Sequence, residues 1–411
     1  MALDKIERLF SEQLLEKDKA GVAKRNEQVI TGIKAATDEY GPRYYLAGQE
    51  GKEFLRMNSN SYLGLSNHPE LIKAEAKAAE TFGTGPGAVR FISGTYQPHI
   101  DLEQKLAEFH GREATMLFSS AYATMMAVLP QLITEDTLVI SDELNHNCII
   151  NAIRLSKPAK KVVYAHLDLN ELKQLLKFHK DLFKRVCVIT DGVFSMRGDV
   201  ADLDEIVAIC QQYESAYEQG VFTLVDDSHG VGAFGKTGRG TEEVTQAKAD
   251  VLISTLGKAF AVNGGYVASS AKVIAYLRET APLYIFSNPI TPAEAAAALK
   301  AVQILDSAEG QLKLEILMSR TKQLRNGLLQ AGFETISGDH PIVPVLIRDT
   351  KKTAALVKFL FANNILATGL NYPVVPKGQE EIRLQVSADH TARDTAYVLD
   401  RLNEFNFASR T

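Results

Sequence analysis

Several things are missing from this chain, and each absence removes a class of function. No run of residues approaches the apolar length, roughly 20 residues, that a membrane-spanning helix requires, so stable membrane insertion is not expected. The N-terminus lacks a continuous apolar stretch. Asp4, Glu7 and Glu12 interrupt it early, which argues against a secretory signal, and their acidity argues against a transit segment. The expected location is the cytoplasm, or an organelle lumen if a targeting segment has been removed. Excess basic charge is also missing: the formal net charge is −5, so nucleic acid is not an expected partner. Cysteine is scarce. Cys148, Cys187 and Cys210 are an odd count without a metal-type spacing, and they read as reduced, mostly buried thiols with no metal site. Low-complexity segments and internal repeats are absent.

A hydrophobic share of 45% with 23% charged residues describes an ordinary globular protein, and 411 residues suggest one large and one smaller domain. From Leu3 to about Ala36 the apolar positions Ile6, Phe10 and Leu14 have helical spacing, predicting an N-terminal helical arm over residues 1–57. Between Arg112 and Ser270 short strands alternate with helices. The predicted strands are Ala114–Phe118, Thr137–Ile140, Lys161–Ala165, Arg185–Thr190, Val221–Val225, Val251–Ser254 and Gly265–Ala268. They are rich in Val, Ile and Leu without clean alternation, as strands buried on both faces are. The fold class is therefore α/β, with a mostly parallel seven-stranded sheet covered by helices such as Leu169–Lys177 and Leu203–Tyr213. An Ala-rich helix, Pro292–Asp306, follows, then an amphipathic one, Lys313–Ala331, ended by Gly332. The pattern then changes to strand His340–Arg348, helix Thr353–Asn363, strand Glu381–Val386 and helix Ala392–Phe405. The expected division is a large domain over 58–295 and a smaller C-terminal α/β domain over 296–411.

One motif is rejected. Gly230 to Thr237 matches both the phosphate-loop pattern and the dinucleotide fingerprint, but each needs its glycines to follow a strand directly and open a helix. Here Asp226-Asp227-Ser228-His229 intervenes, and Gly238-Arg239-Gly240 cannot start a helix. A surface turn beside a site is expected instead. The glycine cluster Gly83–Ala88 is useful mainly for close backbone approach to a ligand.

Lys258 is the most informative residue. Small neighbours in Ser254-Thr255-Leu256-Gly257-Lys258-Ala259 hold it just past an apolar strand, where it can reach into a cleft. Asp226 ends the preceding strand, with His229 three residues on. An amine, a strand-end carboxylate and a nearby donor are what pyridoxal phosphate needs at its aldehyde, ring nitrogen and phenolic oxygen. Its phosphate needs backbone N–H groups at a helix start, and Ser119-Ser120-Ala121-Tyr122 supplies one after a strand. Ser195 and Thr255 lie at strand ends and can add hydroxyls, and His146 follows another strand and can lie over the ring.

These residues, in this order, resemble the α-oxoamine synthases, pyridoxal phosphate-dependent acyltransferases that join an amino acid to an acyl-CoA. The resemblance runs from Asn58-Ser59-Asn60-Ser61-Tyr62-Leu63-Gly64-Leu65 to Ile382-Arg383-Leu384-Gln385-Val386-Ser387-Ala388, and it includes Ser141–His146 and Gly257-Lys258-Ala259. It implies the fold type I transferase architecture and a homodimer with shared active sites. It also implies roles by position. Lys258 is the Schiff-base lysine and proton shuttle, Asp226 the ring-nitrogen partner, His229 the donor to the phenolic oxygen and His146 the residue stacked on the ring. Ser120, Ala121 and Tyr122 form the phosphate cradle, assisted by Ser195 and Thr255. Ser287 and Asn288 match a phosphate contact made from the other subunit, and Asn60 and Arg383 match the pair that holds the amino acid carboxylate, with His146 beside them.

Within the family, Ala88–Thr95, Thr190–Met196 and Asn371–Gly378 are most similar to the glycine C-acetyltransferase branch. That likeness implies glycine and acetyl-CoA as substrates and 2-amino-3-oxobutanoate as product, or the reverse reaction in threonine breakdown. Ser61, the run Ala121–Thr124 and the short stretch Lys258–Gly265 depart from that branch. They leave open a serine palmitoyltransferase-like or other decarboxylating member that uses a longer acyl-CoA. An aminotransferase of the same fold would share Lys258 and Asp226 but would take a keto acid.

Overall fold

Apolar runs assemble into one seven-stranded sheet whose inner strands bury both faces, while the edge strand Lys160–Tyr164 leaves Lys160, Lys161 and Val163 exposed. In this computed structural model, which describes residues 3–19, 23–25, 27–372 and 375–408, the strands are Ala114–Phe118, Thr137–Asp142, Lys160–Tyr164, Arg185–Asp191, Val221–Asp226, Val251–Thr255 and Gly265–Ser269. Across the sheet the order is 114–118, 265–269, 251–255, 221–226, 185–191, 137–142, 160–164. Gly265–Ser269 pairs antiparallel with both neighbours, whereas the pairings from 251–255 outward to 160–164 are parallel. Alternate residues enter opposite cores. Val139, Cys187, Ile189, Leu224 and Ile253 pack on one side with Met125, Val128 and Ile149. Leu138, Ile140, Val186 and Val188 pack on the other with Leu172, Leu176 and Ile206.

Most strands run one or two residues beyond the apolar stretch that marks them in the sequence. Ser141, Asp142, Asp191, Asp226 and Thr255 remain in extended strand. Asp191 pairs directly with Asp226, and Asp226 with Ile253. The C-terminal edge of the parallel strands is therefore polar and buried, the place where open α/β sheets bind ligands.

By packing, the chain forms two compact units. One is Asn60–Ser319 with Ser337–Pro341; the other is Met1–Ser59, Arg320–Ile336 and Ile342–Thr411. In the first, helix Pro292–Leu305 starts with Thr291 and Glu294 in a reciprocal capping box (Glu294 N to Thr291 Oγ1 3.0 Å, Thr291 N to Glu294 Oε2 2.7 Å). Its alanines allow close packing on helices Pro69–Phe82 and Gln97–His110. The second unit has an antiparallel sheet ordered Glu334–Thr335, Ile342–Leu346, Glu381–Gln385, Thr368–Leu370, with helices Thr350–Ala362 and Ala392–Ala408. The change of pattern read in the sequence after Gly332 corresponds to this sheet.

Two expectations need correction. Helical spacing read to Ala36 holds only over Leu3–Lys19, since Ile30–Lys34 pairs antiparallel with Arg43–Leu46. β-Branched Ile30, Thr31 and Ile33 favour extended backbone there. Residues 20–22 and 26 of that stretch lie outside the described residues, as do Pro373 and Val374 of the run Asn371–Gly378. The turn Gly230–Thr237 is not a surface feature either: Gly230 to Ala233 are buried. Asp227, fully buried, draws the turn inward by accepting from Thr241 N and Oγ1, each at 2.7 Å. Gly240, at φ 80°, passes so near that a Cβ there would lie 2.0 Å from Asp227 Oδ2. Among the described residues, no helix is long and apolar enough to cross a membrane.

Ile253 is fully buried in the main core and pairs with Asp226. Ile253→Ala is expected to cost about 2–5 kcal/mol of stability, seen as a lower urea midpoint. A change below about 0.5 kcal/mol would contradict this account of the core.

Candidate active site

The polar strand ends of the larger unit surround a cleft lined by Ala121, Tyr122, His146, Cys148, Asp191, Val193, Ser195, Asp226, Ser228, His229 and Lys258. Seven of these are site residues expected from the sequence. Asp226 is the last residue of its strand, and the others are delivered by loops or helix starts that follow a strand.

Helix Ala121–Leu132 begins directly after strand 114–118. Ser120 caps it, its hydroxyl accepting from Ala123 N at 3.1 Å. The amides of Ala121 and Tyr122 belong to the first turn, where backbone donors have no intrahelical partner. Gly265 makes this start possible: a Cβ there would lie 2.3 Å from Ala121 N. The Tyr122 hydroxyl donates to Asn147 Oδ1 at 2.9 Å and accepts from Asn151 Nδ2 at 2.6 Å.

His146 caps helix Asn147–Ser156. Its Nδ1 accepts from Cys148 N at 3.2 Å, and its own N donates to Asp191 Oδ2 at 3.1 Å. Asn145 fastens this loop to the neighbouring strand, donating to Ile189 O at 2.8 Å while its Oδ1 accepts from Asp191 N at 2.8 Å. Partial burial and the nearby Lys258 hold the His146 imidazole below its ordinary pKa, with Asp226 opposing them.

Asp226 is buried, accepting from Ser228 N at 3.1 Å and from the Cys148 thiol at 3.6 Å. Burial, followed by the carboxylates of Asp226 and Asp191, pushes the Cys148 thiol far above its usual range and keeps it protonated. Asp191 is also buried. Burial and its neighbour Asp226 drive its carboxyl well above the usual carboxylate range, with Lys258 opposing. Lys258 projects from a tight turn in which Leu256 N donates to Gly264 O and Ala261 N to Lys258 O, both at 3.0 Å. Thr255 shapes that turn, its hydroxyl donating to Gly264 O at 3.2 Å and accepting from Gly257 N at 3.0 Å.

His229 Nδ1 lies 2.8 Å from the Tyr62 hydroxyl, which also donates to Asn60 Oδ1 at 3.3 Å. Asn60 is thus joined to the cleft through Tyr62, a residue the sequence reading did not single out. Ser120, Thr255, Ser287, Asn288 and Asn60 lie outside the cleft lining. Ser287 and Asn288 follow the short helix Pro282–Ile285. Arg383 sits in strand Glu381–Gln385 of the smaller unit, opposite Pro344.

Asp191, Cys148 and Ser228 were not selected from the sequence. Asp191 carries the same signal as Asp226, a carboxylate ending an apolar strand. Cys148 and Ser228 have no such signal.

The cleft suits a polar ring bearing an anionic group. Asp191 Oδ1 and Ser228 Oγ are buried there without a hydrogen-bond partner, and each such atom left unpaired costs about 1–3 kcal/mol. Two carboxylates call for a cationic ring atom, the lysine for an aldehyde, and the helix start for a phosphate. Pyridoxal phosphate fits all three.

Comparisons with known proteins agree. A family model described as aminotransferase class I and II matches residues 52–402. An 8-amino-7-oxononanoate synthase from Thermosipho melanesiensis is 41% identical over 92% of this chain and 94% of its own. A solved SPT with a PLP internal aldimine superposes with TM-score 0.87 at 26% identity, covering 99% of this chain and 98% of that one. The serine palmitoyltransferase of Sphingomonas wittichii does so with TM-score 0.87 at 25% identity, with the same coverage.

Gly265→Ala is expected to displace the helix start and weaken pyridoxal phosphate uptake. The strain should cost about 1–3 kcal/mol, read by titrating absorbance against added cofactor. Unchanged uptake would show that the helix start does not hold the phosphate.

Proposed function

The chain belongs to the class I and II aminotransferase family and, within it, to the α-oxoamine synthases, and on that footing we propose that it joins glycine to acetyl-CoA, giving 2-amino-3-oxobutanoate and free coenzyme A. It is a pyridoxal phosphate-dependent acyltransferase of fold type I. The observation that supports the pyridoxal phosphate chemistry is the convergence of Lys258, Asp226, His146, Ser195 and the helix start at Ala121 and Tyr122 on one cleft.

When bound, pyridoxal phosphate supplies an electron sink for negative charge developing at the amino acid α-carbon. Lys258 would hold pyridoxal phosphate through its aldehyde, and its Nζ, as the neutral amine, is the base for the amino acid α-proton. Asp226 would hold a proton on the ring nitrogen, His229 would donate to the phenolic oxygen, and His146 would cover the ring. The amides of Ala121 and Tyr122, with Ser120, Ser195 and Thr255, bind the phosphate. Arg383 and Asn60 take the substrate carboxylate, for which a planar guanidinium offers two parallel donors. Ser287 and Asn288 serve the phosphate of a second subunit in a homodimer.

Glycine and acetyl-CoA rest on the runs Ala88–Thr95, Thr190–Met196 and Asn371–Gly378. A second reading has a specific basis. The Thermosipho relative is named for a product with amino and keto groups on adjacent carbons. That favours a longer acyl-CoA and loss of carbon dioxide from the intermediate.

Coenzyme A release should be measured across amino acids and acyl-CoAs of increasing length. Glycine with acetyl-CoA is expected to give the highest kcat/KM, and Lys258→Ala to lower turnover by at least about 100-fold while the fold persists. A strong preference for serine with palmitoyl-CoA, or for another long acyl chain, would replace the first reading with the second.

A further inference from the structure

His166 stands just beyond strand Lys160–Tyr164, outside the cleft lining, yet it touches two of the segments that deliver cleft residues, those of His146 and Ser195. Its Nδ1 lies 3.0 Å from Asp142 Oδ1 and its Nε2 lies 3.2 Å from Asp199 Oδ2. Asp142 ends the strand before the His146 loop and accepts from Leu144 N at 2.8 Å within that loop. Asp199 closes the loop that carries Ser195: its carbonyl accepts from Phe194 N at 3.0 Å, and Val193 bridges to Val200. The His166 ring also packs edge-on against Phe194, with centroids 4.4 Å apart.

We propose that His166 is a positioning residue, held as an imidazolium between Asp142 and Asp199, that locks the His146 and Ser195 loops in register around the cofactor cleft. A carboxylate can only accept, so carboxylates at both ring nitrogens require both to donate, and only the cation has two N–H groups. The charged groups facing it fit that state. Asp142 and Asp199 flank the ring, and Glu143 Oε2 accepts from the His166 backbone N at 3.3 Å. Arg197 is the opposing cation, spent on Asp199 at 2.6 Å. Burial works against the charge, but the hydrogen bonds to Asp142 and Asp199 raise His166 from 6.5 to about 9. Burial likewise opposes ionisation of Asp199, yet His166 and Arg197 hold its carboxyl below the ordinary value. Because the folded pKa of His166 is raised, its stabilisation is complete below about 6.5 and is lost as pH rises through about 9.

The inference deepens the proposed function, since the two loops matter through the cofactor they enclose. The test compares wild-type holoenzyme with His166→Gln and Asp199→Asn. In His166→Gln, kcat is expected to fall by about 100-fold, the scale of a 1 Å misplacement, while KM for the amino acid changes little. The wild-type advantage over His166→Gln in thermal midpoint should be constant below pH 6.5 and fade as pH approaches 9. Asp199→Asn removes one carboxylate, so the pH at which wild-type stability falls should move down. Wild-type kcat in His166→Gln, or a midpoint difference that does not vary with pH, would overturn the proposal. If His166→Gln does not fold, Asp199→Asn decides: an unmoved pH profile refutes the imidazolium clamp. The midpoint profile needs no turnover. An inactive wild type therefore counts against the synthase reading, and a flat profile against His166.

Discussion

Asp191 and Asp226 lie side by side at the ends of adjacent parallel strands, both buried. Two carboxylates so placed cannot both ionise cheaply in a poorly solvated site, which is why Asp191 is driven towards its protonated form. The surroundings answer this only in part. The Cys148 thiol and Ser228 N donate to Asp226, His146 N and Lys258 bear on Asp191, and Asp191 Oδ1 has no partner. A protonated ring nitrogen would supply the missing positive charge, so the electrostatics of the cleft and the demands of the cofactor are complementary.

The sheet creates this situation. Apolar residues on both faces of the inner strands fix their register, and that register carries the polar residues at their C-terminal ends to one buried edge. The loops that follow are then tied at short range: Asn145 to strand 185–191, Asp227 to Thr241, and Thr255 to the lysine turn. Site geometry is therefore inherited from strand pairing and from these short-range ties.

Much of this was legible in the chain. All seven strands of the large sheet are marked by short apolar runs, and helix Leu203–Tyr213 has the limits its periodicity predicts. Lys258, Asp226, His229 and His146 announce themselves as polar residues just past apolar strands, and the cleft gathers all four. What escaped reading depends on pairing between distant segments. Tyr62 reaches His229 across 167 positions, and Cys148 reaches Asp226 across 78. No local pattern encodes such contacts. The inward Gly230–Ala233 turn was misjudged because its glycines look solvent-seeking until the buried Asp227 is in place. The strand at Ile30–Lys34 was hidden by apolar spacing that also suits a helix.

Borohydride reduction of cofactor-loaded protein, followed by peptide mass mapping, probes the central assignment directly. A stable pyridoxyl adduct on the peptide that contains Lys258 is the expected outcome. An unmodified Lys258, or an adduct confined to another lysine, would contradict the assignment of the cleft.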